Sequence, residues 1–133
     1  MPEPEKVTIN LSVVDLGQID VLVEEGYYSS RTDFLRTAAR AQLEKQSEAL
    51  NQIVRRRGLT IGVVHLNRAE LEKHFQKGES LDVRVVGMLA IDAEVPPQLA
   101  AAVIRNLQVY GVVRATRAVR AALGIKERRS PAD

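Results

Sequence analysis

Lys6, Thr8 and Asn10 occupy every second position of the stretch EKVTINLS, and Val7, Ile9 and Leu11 fill the gaps. Side chains of an extended strand point alternately to opposite faces. The spacing therefore predicts a strand with one apolar face and one row of hydrogen-bonding groups. That row suits polar recognition: an ammonium can donate to guanine O6 and N7, an amide can pair with adenine N6 and N7, and a Thr methyl or hydroxyl fits several base edges. A second candidate cluster lies in SSRTDFLR, residues 29–36. Ser30 followed by Asp33 reads as a capping-box-like helix start. The backbone N–H groups and positive dipole end near Ser30, Arg31 and Thr32 suit a phosphate, with Arg36 and Arg40 placed to extend the clamp.

The elements that must hold these groups follow from the periodicity. Ser12 or Asp15 caps a short helix in which Leu16, Ile19, Leu22 and Val23 recur at helical spacing, ending near Gly26. A second helix starts at Ser30 and carries Phe34, Leu35, Ala38, Ala39 and Leu43. It is expected to run on through Leu50, Ile53 and Val54 to Arg57, where Gly58 stops it. Arg55, Arg56 and Arg57 read as a favourable C-terminal charge cluster of that helix. One strand and two amphipathic helices cannot enclose their own apolar faces. Two copies can: their strands form an antiparallel ribbon and four helices close a shared core beneath it.

KVTINLS followed by VDLGQIDVLVEEGYYSSRTDFLRTAARAQLEK resembles the ribbon-helix-helix DNA-binding proteins of the MetJ, Arc and CopG type, over about residues 5–46. The resemblance implies an intertwined β-α-α dimer whose ribbon enters the major groove of double-stranded DNA. Lys6, Thr8 and Asn10 match its base-reading positions. Ser30, Arg31, Thr32 and Arg36 fall where the phosphate-binding helix start lies. Acidic side chains such as Asp15, Asp20, Glu24 and Glu25 are then expected to face away from the contact surface.

The remainder carries an internal repeat. TIGVVHLN, VVGMLAID and VYGVVRAT align at Gly62, Gly87 and Gly111, each glycine followed by two apolar residues. Asn67, Asp92 and Thr116 stand in one column as candidate N-caps. Short helical patterns follow, through Leu71 and Phe75, through Leu99 and Val103, and through Val119 and Leu123, with Pro96 and Pro97 where a first helical turn tolerates them. A strand-helix unit repeated three times predicts a small stacked α/β array with parallel strands and open edges, suited to oligomerisation. The expected class is thus α+β. Residues 1–57 make a ribbon-helix-helix dimerisation and DNA-binding domain. Residues 58–125 make a three-repeat oligomerisation or partner-binding domain, and residues 126–133 a basic disordered tail.

Composition sets the outer limits. The 133 residues are 45% hydrophobic, enough for a core, and contain no cysteine, which excludes disulfides and thiolate metal sites and suits a reducing cytosol. No signal peptide or spanning run is visible, so a cytoplasmic, nucleoid-associated protein without membrane contact is expected. The net charge of +2 is a weak hint of a polyanion. Residues 1–58 carry eight Lys/Arg against nine Asp/Glu, so a DNA contact must rest on placement rather than bulk charge. His65 and His74 lack companion ligands. No phosphate loop, Ser-His-Asp set or close carboxylate pair appears, so neither catalysis nor a metal or cofactor is expected. The sequence reading is a DNA-binding transcriptional regulator of repressor type, a homodimer joined into higher oligomers on DNA by its tail. The alternative is an antitoxin or partition-type protein whose residues 58–125 bind a protein partner.

Overall fold

The computed structural model describes residues 4–125, and the basic stretch expected at residues 126–133 lies outside them. Two compact units divide at Leu50/Asn51, so the sheet unit takes in the residues from Asn51 onward, ahead of Gly58.

In the first unit, residues 4–12 precede helix α1 (Val13–Glu24) and form no ladder within the single chain. Ser12 is the cap of α1, its hydroxyl accepting from the Asp15 N–H at 3.1 Å. Gly26, at φ +87°, ends the helix, and the next N–H, that of Tyr27, reaches back to Leu22 O. Helix α2 (Arg31–Lys45) starts at the Ser30 cap: Ser30 Oγ accepts from Asp33 N–H, while the Asp33 carboxylate accepts from Ser29 N–H. Tyr28 packs edge-on against Phe34 across that start, with ring centroids 5.0 Å apart.

The long second helix expected from Ser30 to Arg57 is interrupted. Gln46, at φ −95° and ψ 6°, closes α2 with its N–H shared among Gln42, Leu43 and Glu44 carbonyls, and a separate helix α3 covers Ser47–Arg57. Ser47 is a weak interior helix former, so little resists the tightened turn.

The second unit alternates strand and helix: β1 (Thr60–Leu66), α4 (Arg68–Gln76), β2 (Leu81–Ile91), α5 (Pro97–Val103), β3 (Ile104–Arg114) and α6 (Arg117–Ala122). The strands form one parallel sheet in the order β1-β2-β3, with Gly62, Gly87 and Gly111 directly in register. All three glycines have positive φ, from 127° to 138°. A Cβ on Gly87 would lie 2.1 Å from Gly62 O, and one on Gly111 would lie 1.9 Å from Gly87 O. The glycines therefore let three backbones approach across a kink, a purpose that strand pattern alone does not specify.

Asn67 and Thr116 cap α4 and α6 through Glu70 N–H and Val119 N–H. Asp92 does not cap α5. That helix starts at Pro97, whose ring pre-sets the first turn, and Asp92 pairs with His65 instead. Alternate strand residues Val83, Val85, Leu89 and Ile91 join Leu71, Ala100, Val103 and Val119 in a continuous core between the sheet and its helices. Phe75, expected on the apolar face of α4, is 59% exposed.

Candidate nucleic-acid interface

The N-terminal segment presents its two faces unevenly. Lys6, Thr8 and Asn10 are exposed, as their polarity requires, but so are Val7 at 79% and Ile9 at 56%. Apolar side chains left this open in a unit whose one buried residue, among those described, is Ile19 mark a face that lacks its cover. The segment lies along α2: Lys6, Val7 and Ile9 line one wall of an open groove of about 760 Å³, and Thr32, Leu35 and Arg36 line the other. A second hollow brings Asn10 and Leu11 to Ile19, Arg31 and Leu35. Two of the three candidate base-reading side chains thus stand beside three of the four candidate phosphate residues. Thr8 lines neither hollow.

The start of α2 is arranged by its own side chains. Ser30 Oγ accepts from the Asp33 amide, which fixes the helix start while the hydroxyl keeps its own proton to donate. The amides of Arg31 and Thr32, at the first two helical positions, have no carbonyl one turn earlier to bond, and the dipole adds positive potential there. Arg36 and Arg40 are exposed on the same helix.

Arg31 departs from expectation. Its Nε and Nη2 donate to the two carboxylate oxygens of Asp20 at 2.7 and 2.8 Å, a bidentate pair between α1 and α2. Asp20, expected to face away from a contact surface, is bonded to Arg31, one of the candidate phosphate residues. The hydrogen bonds from Arg31 hold the Asp20 carboxyl below its usual value, and the carboxylate pushes the guanidinium up. The pair engages the Nε and one Nη2 donor of a guanidinium that carries five N–H groups. No local spacing announces an ion pair between residues 20 and 31. It depends on how the two helices cross.

The histidines behave as ordinary side chains: His65 Nε2 meets Asp92, and His74 Nδ1 donates to Glu70 O one turn back. Among the described residues, no group of three or more His, Cys, Asp or Glu side chains is placed to hold a metal ion, and no helix is long and apolar enough to cross a membrane.

A short segment without a ladder partner in the single chain precedes two helices that leave apolar faces open. The chain belongs to the ribbon-helix-helix transcriptional regulator family, whose model matches residues 2–120. That match extends the resemblance seen over residues 5–46 through nearly all of the strand-helix array. Members are transcriptional regulators that bind DNA and usually dimerise. No curated protein and no solved structure matches the chain.

Proposed function

We propose that the chain is a sequence-specific repressor whose homodimer places a two-stranded ribbon in the major groove. Lys6, Thr8 and Asn10 of each copy read base edges, while the α2 start at Ser30, Arg31 and Thr32, with Arg36, holds the backbone phosphates. The observation that carries this reading is the open apolar row of Val7 and Ile9 alternating with an exposed polar row. A second copy of the same segment covers the apolar row and supplies the missing ladder, leaving the polar row outward twice. Asp20 fits as a positioning partner that keeps Arg31 directed. The strand-helix array joins dimers bound at neighbouring sites, a reading favoured by its ordered core over that of an unfolded toxin-binding segment.

The test is replacement of Lys6, Thr8 and Asn10 by Ala, one at a time, in otherwise intact protein. Each variant should retain dimer mass and helical content, yet bind the cognate site more weakly by about 1 to 3 kcal/mol per lost base contact at fixed salt. Unchanged specific affinity in all three would remove ribbon readout.

A further inference from the structure

The glycine column shows which way the backbone of each strand points. A Cβ on Gly87 would meet Gly62 O and one on Gly111 would meet Gly87 O, so the carbonyls of this row are directed from β1 toward β3. Along a strand of a parallel ladder, successive residues turn their backbone groups to opposite neighbours. Ile61, Val63 and His65 therefore turn theirs outward at the β1 edge, and Gly111 and Val113 turn theirs outward at the β3 edge. The two edges are treated differently. Arg120, from α6, donates through Nη1 to Val113 O at 2.8 Å, which places a cation on the β3 edge, and β3 itself carries Arg105 and Arg114. The β1 strand, TIGVVHL, contains no Lys, Arg, Asp, Glu or Pro, and its Ile61 and Val63 are 62% and 54% exposed. Sheets ordinarily protect an edge with charge, proline or a covering side chain. Here β3 has that protection and β1 lacks it.

We propose that the β1 edge pairs with the β1 edge of a second copy, antiparallel and centred on Val63. An open strand edge is complementary to another extended backbone. A head-to-tail join that continued the register from β3 into a second β1 would need Val113 O for the incoming His65 N–H, and Arg120 already holds that carbonyl. Two β1 edges meet without that conflict, and a twofold axis closes on them. Centred on Val63, the outward groups of Val63 bond those of its twin, and Ile61 bonds the twin's His65 in both directions, as the hydrogen-bonded pairs of an antiparallel ladder do. The faces agree as well. Ile61, Val63 and His65 of both copies share one face, while Val64, packed against the core, stays on the helical face in both. Each His65 remains beside its own Asp92 and lies opposite an isoleucine. Gly62 adds a specific fit. The Cβ positions of Gly87 and Gly111 fall on the preceding strand, so that of Gly62 falls on the strand that pairs with β1, in space now open to 4 Å. A ladder of one seven-residue strand is weak alone and effective when copies are already gathered, as in a family that dimerises and binds DNA. This pairing rests on the assembly role proposed for the array and gives that role a surface.

The absence of cysteine from the sequence makes single-cysteine probes clean. Val63 and Val112 stand in one register row, at the open and the guarded edge. Full-length Val63→Cys, oxidised over a range of protein concentrations, should form a disulfide-linked pair at least about tenfold more readily than Val112→Cys, each yield normalised to the reaction of that thiol with a small reagent. Adding Ile61→Pro to Val63→Cys removes an outward N–H that the β1–β2 ladder does not use, and should cut the yield about tenfold while leaving the melting transition in place. If proline impairs folding, Ile61→Lys makes the same test by placing a charge on the edge. Equal crosslinking of Val63→Cys and Val112→Cys, or a yield indifferent to the Ile61 variants, overturns the proposal. Mass measured alongside separates this result from the reading beneath it. Species larger than a dimer that ignore the Ile61 variants overturn the edge pairing and leave the joining of dimers to another surface. A β1-dependent crosslink with mass never above a dimer keeps the edge pairing and removes the joining of dimers.

Discussion

Helices α1 and α2 bury a single side chain, Ile19, and leave Val13, Val14, Val21 and Leu43 open, whereas the strand-helix array closes a core from Leu66 to Val119 with Leu71, Leu89, Val103 and Val119 essentially inaccessible. The same chain thus contains one unit whose apolar surface is satisfied by its own sequence and one whose surface stays largely open in the single chain. Contact order does not explain the contrast, since the array needs long-range parallel pairing and still closes a core. Number of elements does: three strands can each cover the next and support a helical layer, while one strand has no neighbour. The sequence that reads DNA in this proposal is the one that is incomplete without its partner, so folding, dimerisation and ribbon display are one event in the first unit. In the second, the sheet face carrying Ile61, Val63 and Tyr110 stays open.

The contrast breaks most severely at Ile9. Ile9→Ser puts a hydroxyl where the proposed dimer core holds a branched alkyl group, at an expected cost of about 3 kcal/mol per copy, felt twice across the proposed twofold. Sedimentation should show dissociation at concentrations where the parent is dimeric, and the helical signal of α1 and α2 should fall with it while the array persists.

The glycine column sharpens the other side of the comparison. Gly87→Ala must move Gly62 O, 2.1 Å from the new methyl, in addition to straining a φ of +138°, and should lower the stability of the array by about 3 kcal/mol or more. Gly62→Ala meets open space and pays the backbone strain alone, about 1 to 3 kcal/mol. Urea unfolding of the two variants should therefore rank them with Gly87→Ala lower. Equal midpoints would mean that close approach contributes nothing.

The smallest effects concern the ion pair that ties α1 to α2. Arg31→Ala should reduce the slope of log affinity against log salt by about one unit if Arg31 holds a phosphate. The hydrogen bonds from Arg31 hold the Asp20 carboxyl below its ordinary value. Its contribution is therefore present above that ordinary value and fades as pH falls through the lower folded one. Asp20→Asn should flatten the acid limb of the stability profile slightly, with both proteins alike at the lowest pH.

What the sequence made readable was largely local. Ser12, Ser30, Asn67 and Thr116 serve as caps because capping needs only the residue and the amide three positions on. The glycine spacing exposed the repeat because each strand meets the next in register. Asp92 occupied the same column as Asn67 and Thr116, yet Pro97 sets the helix start and His65 draws the carboxylate away. Phe75 had the helical phase of a core residue, yet it stays exposed while Leu71, one turn earlier in α4, is buried. Asp20 and Arg31 depend on a helix crossing that periodicity does not encode. The chemistry of the candidate site was legible as residue types. The N-terminal segment was read as a strand from its alternation alone, and in the single chain it pairs with no ladder.

The central claim is that paired ribbons read a defined sequence. Recovery and sequencing of genomic fragments held by the full-length protein at physiological salt tests it directly. The account predicts enrichment of a short shared motif with twofold symmetry or tandem half-sites, lost on combining Lys6→Ala, Thr8→Ala and Asn10→Ala. Fragments with no common motif, or a motif that survives the triple substitution, would contradict it.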